Sequence, residues 1–361
     1  MERSIKLVAN IGGEEGPGGK MPKPAKRAAI LWSLIFPEES QVIEPQFLDR
    51  SLLSGYKFDK SAFSFLDQEI AWAWINTSEA ESLASPSRLG GCTSQTVRKV
   101  HDKEFLHGTS DRRFSEPRDL SAFTQILEPG QVNFGQLHER FKKCADSLPT
   151  WQGGFLRMKP RFGSTGRKHL VFHPRKISTN DLSKVIINSN SGVIIEPELE
   201  RVHDYSLQAY IDPSGKIEIL GILKQHIDRT GKFQGHSGVI DEDGHVSVDD
   251  KFTPKIKEVG IKIFEKAIAQ GYHGPCGIDS FTYRGPNGHV LLRPAVEFNA
   301  RFTMGTVTIG ILRRTLISKV KNISGGGKKF HFTASYSSNL VGTEANKTNI
   351  AGSEFSLSFE S

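Results

Sequence analysis

Cysteine is scarce in this chain. Its three copies, Cys92, Cys144 and Cys276, lie far apart and without metal-ligand spacing. An odd, sparse count argues against a disulfide framework and for a reducing compartment, so a cytoplasmic setting is expected. Long apolar runs are missing as well. The opening MERSIKLVANIGGEEG lacks the apolar core of a signal peptide, and no segment approaches the ~18 apolar residues that cross a bilayer. Charge of one sign is never concentrated: 47 Lys and Arg against 40 Asp and Glu are spread along the chain rather than gathered in a block. That distribution argues against nucleic acid as a partner and suits isolated anion-holding points. Also absent are a GxxxxGK[ST] phosphate loop, a glycine fingerprint opening a helix, an internal repeat, and local support for a Cys or Ser-His-Asp nucleophile.

What is present suits a folded protein of two or three compact units, with 361 residues, 37% apolar and 24% charged. Glycine is the unusual component. Many of its 35 copies sit beside charged or hydroxyl residues, as in turns and anion-binding loops. Residues 5–10 read as a short apolar strand running into Gly12 and Gly13, 28–36 as a buried helix and 41–44 as the next strand. Helical spacing follows from Ser94, the expected cap, through Leu106. Strands are expected at 155–159, 169–172 and 192–196, then a hairpin over 207–220 turning at 212–215 and a second turning near Thr230–Gly231. The clearest helix is 253–270, with Thr253 as cap, Pro254 in the first turn and Gly271 as the stop. Strands 277–283 and 289–299 flank a turn at 285–288, and the end from about Ala334 reads as a flexible tail.

Chemistry concentrates in RPAVEFNAR. Glu297 and Asn299 are two residues apart on a strand, so both point to one face, and Arg301 continues the row if the strand does. Burying such groups unpaired costs on the order of 2–7 kcal/mol each for a neutral polar group and more for charges. Two readings remain: a solvated face with a salt bridge, or oxygen ligands for a hard cation with an arginine beside an anion. Asp279, on the preceding strand, joins Glu297 only if the intervening hairpin has an odd loop or a bulge. A regular two-residue turn would send the two carboxylates to opposite faces. Lys159 precedes a loop in which Gly163, Ser164, Thr165 and Gly166 offer backbone N–H groups and hydroxyls, as a phosphate cradle or as an ordinary hairpin turn. Lys103 is a third basic candidate, a surface lysine if taken alone. IIEPEL breaks an apolar strand at Pro197, leaving backbone groups to read a purine edge or simply to end an edge strand.

In order and spacing these pieces resemble the ATP-grasp superfamily over about residues 94–314, most of all its carboxylate–amine ligases, including peptide ligases. LRPAVEFNARFTMG is the most specific segment. The resemblance implies an α+β ATP-grasp fold, two subdomains clasping ATP, preceded by a small α/β pre-ATP-grasp domain. The divisions expected are 1–93 for that domain, 94–198 for linker helix and lid, 199–333 for the metal-binding subdomain and 334–361 for the tail. It implies that Lys103, Lys159 and the Gly163–Gly166 loop hold phosphates, and that backbone at Glu196 and Leu199 meets adenine. Asp279, Glu297 and Asn299 would hold Mg2+ or Mn2+, with Arg301 and Lys159 as catalytic groups. The site would lie in a cleft between domains. Arg293 or Lys224 would receive a substrate carboxylate. Asp279 stands where relatives often have Glu, and GPNG is an insertion between the metal strands. The implied reaction joins a small-molecule or peptide carboxylate to an amine through an acyl phosphate, with ATP consumed and a homodimer as an open assembly. A kinase on a small polar acceptor and a non-catalytic nucleotide-binding protein are the competing readings.

Overall fold

The computed structural model describes residues 4–13, 23–44, 60–69, 71–107, 123–128, 134–163, 169–181, 183, 192–228, 232–320, 329–336, 348–349 and 356–360. The chain forms two compact units: 1–100 with 205–278 and 299–361, and 101–204 with 279–298.

The first unit opens with β1 (Lys6–Val8), α1 (Lys23–Ser33), β2 (Gln41–Glu44) and β3 (Ala71–Ala73), a parallel sheet of order β2-β1-β3. α1 begins and ends earlier than the apolar run 28–36 suggests. Short α2 (Ser78–Ala84) packs on this sheet through Ala80 and Ala84. Thr77 caps α2 by accepting the Ala80 N–H at 3.1 Å. Trp32, Phe36, Trp74 and Phe302 meet edge-to-face with centroids 5.1–6.2 Å apart, a core built of aromatic quadrupoles as well as area.

The largest sheet is built from β8 (Arg201–Ile211), β9 (Ile217–Ile227), β10 (Phe233–Asp241), β11 (Val246–Ser247), β12 (Gly274–Arg284), β13 (Val290–Asn299), β14 (Lys329–Ser335), β15 (Thr348–Asn349) and β16 (Ser356–Glu360). They form one sheet of order β13-β12-β8-β9-β11-β10-β14-β16-β15, and β8, β12 and β13 each contribute residues to both units. The hairpin at 212–215 forms as expected: Asp212 Oδ1 accepts the N–H of Ser214 and Lys216, and Gly215 supplies a φ of +86°. The expected turn at Thr230–Gly231 lies outside the described residues. Past Ala334 the flexible-tail expectation fails for residues 356–360: β16 pairs with β14 from Ser356 to Glu360, and Leu357 is fully buried.

Two helix starts are also corrected. α3 (Ser94–His101) has Thr93 rather than Ser94 facing its first turn, with the Thr96 N–H at 3.4 Å, while the Ser94 hydroxyl donates to Glu81 at 2.8 Å. In α6 (Thr253–Ile268), Thr253 is inside the helix and its hydroxyl donates to Val248 O. An Asp250 carboxylate oxygen turns the chain instead by accepting the Phe252 N–H. Gly271, at φ +84°, follows the helix end as expected. α7 (Met304–Val320) is capped by Thr303, whose hydroxyl oxygen accepts the N–H groups of Gly305 and Thr306 and donates to buried Gln208.

In the second unit, β4 (Gln125–Leu127), β7 (Val193–Pro197), β5 (Leu156–Pro160) and β6 (Leu170–Phe172) form an antiparallel sheet in that order. Register pairs Arg157 with Glu196 and Lys159 with Ile194, so alternation gives the sheet two unlike faces. Leu156, Met158, Val193 and Ile195 pack with Leu137 and Phe141 of α5 (Phe134–Ser147) into an apolar core. Arg157, Lys159 and Glu196 share the opposite face.

Candidate functional site

That polar face is buried. Lys159, Glu196 and Arg293 are each 2–3% exposed. Glu196 lies between the two cations, accepting from Arg293 Nη2 at 2.6 Å and facing Lys159 Nζ at 3.0 Å. The lysine contact is an ion pair without hydrogen-bond geometry, so the buried ammonium has no directed acceptor. Burial pushes the Lys159 pKa down to about 8, against the opposing pull of Glu196 and with help from Arg293. For Glu196, burial alone would raise the pKa, but Arg293 and Lys159 outweigh it and hold the carboxyl well below its usual range. Two cations share the Glu196 carboxylate, and Arg293, expected from the sequence to receive a substrate carboxylate, pairs with Glu196. Lys224 stands opposite Ser237 in the β9–β10 pairing.

Lys103 occupies a break in the expected helix. Asp102 Oδ1 accepts the Glu104 N–H at 2.9 Å, which ends α3 and starts a separate short α4 (Glu104–His107). The freed residue is only 2% exposed. Its ammonium donates to Gly163 O at 2.8 Å and lies 3.3 Å from Glu297 Oε1. Its backbone N–H donates to Arg161 O, and Arg161 grips Asp102 at 2.6 Å, Glu128 at 2.6 Å and Glu104. These hydrogen bonds to Asp102 raise the already high Arg161 pKa. Arg161 thus ties the Lys103 turn to the end of β5.

His169 enters the same neighbourhood. Burial, then Arg157, Lys159 and Lys103, push its pKa down to about 3, so the ring is neutral at physiological pH. Its Nδ1 lies 3.4 Å from Arg157 Nη1, and Arg157 forms a fork with Glu198, with Nη2 2.6 Å from Oε1. The Glu198 N–H is used by Phe155 O, and Leu199 is buried against Phe281 and Tyr283.

The hairpin test comes out as an odd loop. Gly285 N–H donates to His289 O at 2.8 Å, enclosing the three residues Pro286–Gly288, with Asn287 at φ 56° and Gly288 at φ +74°. Carried along the strands, that register sets Asp279 opposite Ala295, on the same face as Glu297. The Arg293 guanidinium over the Phe281 ring at 5.5 Å and the Ser280 hydroxyl on Pro294 O at 2.7 Å agree with it. Asp279 and Glu297 are both partly exposed. Asn299, 4% exposed, ends β13 in the first unit. Arg301 donates to Phe302 O, stands 5.9 Å over Trp74 and lines a small cavity with Trp74, Asn76, Gly91, Cys92 and His273.

No protein-family model matches the sequence, and no curated protein matches it. Solved structures do. Biotin carboxylase from Campylobacter jejuni, as its β-γ-ATP complex, matches at TM-score 0.54 and 12% identity, over 99% of this chain and 87% of that one. N5-carboxyaminoimidazole synthetase from Staphylococcus aureus matches at TM-score 0.51 and 12% identity, over 99% and 93%. The fold is that of the ATP-grasp enzymes.

On this ATP-grasp fold, the second unit brings Lys103, Gly163 and Glu297 into contact, groups Lys159 with Glu196, and sets Asp279 on the Glu297 face. Asn299 and Arg301 belong to the first unit, and Ser164, Thr165 and Gly166 lie outside the described residues. Sequence reasoning missed Asp102, Arg161, Arg157 and His169. Arg293, named from the sequence in another role, stands at the same strand parity as Glu297 and Asn299. Among the described residues, no helix is long and apolar enough to cross a membrane.

Proposed function

We propose that the protein is an ATP-dependent, ADP-forming ligase joining a carboxylate to an amine. The observation that carries this reading is the buried Lys159 ammonium, 3.0 Å from Glu196 yet without a directed acceptor. A phosphate oxygen would supply that acceptor. Lys103 adds a second buried ammonium beside the lid glycine Gly163. Neutral His169 adds no repulsion or attraction of its own. In this reading the Leu199 backbone meets the base.

Asp279, Glu297 and Asn299 are an all-oxygen donor set of the kind that suits Mg2+ or Mn2+, and the odd hairpin loop supports the first two acting together. The metal would neutralise phosphate charge when bound. Lys103 contributes a cation at Glu297, Lys159 a cation at the lid sheet, and Arg301 a guanidinium for the transferred phosphoryl or the acyl-phosphate oxygens. Catalysis of this kind rests on positioning and charge neutralisation.

The test is Mg2+-dependent ATP binding by wild type and Glu297→Ala, with ADP release screened against amino acids and peptides and products weighed by mass spectrometry. Weaker metal-dependent binding in the variant, with release that needs both an acid and an amine, supports the ligase. Release that needs one acceptor only supports a kinase. Binding unchanged by the variant, with no turnover on any acid, overturns the enzyme reading.

A further inference from the structure

At the end of β7 the second unit leaves two backbone groups unpaired among the described residues. In the β5–β7 ladder, Phe155 O accepts the Glu198 N–H at 2.9 Å and Gly192 O accepts the Arg161 N–H at 3.2 Å. Both contacts set odd residues of β5 against even residues of β7, so the backbone of Ile194, Glu196 and Glu198 faces β5. Alternation turns the Pro197 C=O the other way, where β4 begins only at Gln125, opposite Ile195. Leu199 follows, 6% exposed, and its N–H donates to no group among the described residues. Pro197 is buried as well. Buried backbone donors and acceptors are almost always paired, so this leftover C=O and N–H suit a ligand that offers a donor beside an acceptor. The edge of adenine has that order, its amino group next to N1. The edge of guanine has the reverse.

The residue between the two groups is held at three points. Phe155 O takes the Glu198 N–H, Gln152 Nε2 donates to Glu198 O at 2.5 Å, and Arg157 forks the Glu198 carboxylate with Nη2 2.6 Å from Oε1. Gln152 also donates to Phe155 O at 2.6 Å, while its Oε1 accepts the Gly154 N–H at 3.0 Å. This amide, 8% exposed, thus bridges both strands where their ladder stops. Its return to the strand depends on Gly153 and Gly154 at φ +81° and +74°. We propose that Gln152 is a positioning residue for base recognition: together with Arg157 it fixes Glu198, so that the flanking Pro197 C=O and Leu199 N–H stand ready for the edge of adenine. The proposal rests on the nucleotide reading above and adds to that site two side chains that touch neither phosphate nor metal in it.

The test is calorimetric binding of Mg-ATP, Mg-GTP and Mg-tripolyphosphate to wild type and Gln152→Met. Wild type should prefer Mg-ATP over Mg-GTP by about a hundredfold or more, because guanine sets donor against donor and acceptor against acceptor at the hinge. Gln152→Met fills similar space without the amide and should lower that preference about tenfold through weaker ATP binding. Tripolyphosphate, which has no base, should bind as before. Should Gln152→Met fail to fold, Glu198→Ala removes the Arg157 fork at a partly exposed position and should lower the preference in the same direction. A merely structural amide, when lost, would weaken all three ligands alike and leave their ratios where they were. Unchanged ratios in a folded variant, or no preference in a wild type that binds Mg-ATP, overturn this inference alone; a wild type that binds no nucleotide overturns both readings.

Discussion

Replacing Lys159 by methionine should make the nucleotide-free protein more stable while removing a proposed phosphate contact. The ammonium is charged at pH 7 and buried, with its pKa carried from 10.5 down to about 8. Each decade of that change corresponds to about 1.4 kcal/mol by which folding disfavours the charged form, on the order of 3 kcal/mol in all. Methionine fills similar space without the charge, and Glu196 keeps its 2.6 Å bond to Arg293. The sign with pH follows from proton counting. Between about pH 8 and 10.5 the unfolded chain holds the Lys159 proton more tightly than the folded chain, so the wild type gains stability across that window. The variant, lacking the group, gains nothing there from this source. Urea unfolding at pH 7 and pH 10 should therefore show the variant ahead by about 3 kcal/mol at the lower pH, with the gap mostly closed at the higher one. A variant less stable than wild type at pH 7, or a gap independent of pH, would refute the reasoning and make the Lys159–Glu196 pair a net support of the fold.

Two further outcomes follow from the packing. Arg161→Met leaves Asp102, Glu104 and Glu128 facing one another around an apolar side chain and should cost about 3–5 kcal/mol by urea unfolding at pH 7. Gly90→Ala would drive a methyl to 2.6–2.7 Å from the Trp72 ring, so thermal melting should show a loss of about 1–3 kcal/mol; an unchanged melt would mean the indole can step aside.

Much of the fold could be read from local rules, and the failures have local causes. The hairpins announced themselves through Asp212 and Gly215, and the long helix through Pro254 and Gly271. The helix starts were misread because hydroxyl residues are interchangeable on paper. Which of Thr93 or Ser94 faces the first turn is decided by Glu81, thirteen residues back, which takes the Ser94 hydroxyl. The C-terminal strand was hidden by composition: Ser356–Glu360 reads as polar tail, and it becomes a strand only because β14 offers an unpaired edge to close.

The site shows the same division more sharply. Strand alternation is local, so the common face of Glu297 and Asn299 follows from their spacing, and the hairpin parity reduced Asp279 to a yes-or-no question that a three-residue loop answers in the affirmative. Pairing between charges is not local. Lys103 looked like a surface lysine because its partners, Gly163 and Glu297, lie 60 and 194 positions away, and nothing in VHDKEF encodes them. The sequence offers Arg293 as a group to receive a substrate carboxylate, and sequence order cannot say that Glu196 lies within its reach. The consequence is chemical. An arginine that binds substrate could be exchanged with little effect on the lid lysine. One that binds Glu196 shares that carboxylate with Lys159, so this cluster is a property of three segments acting together and of none of them alone.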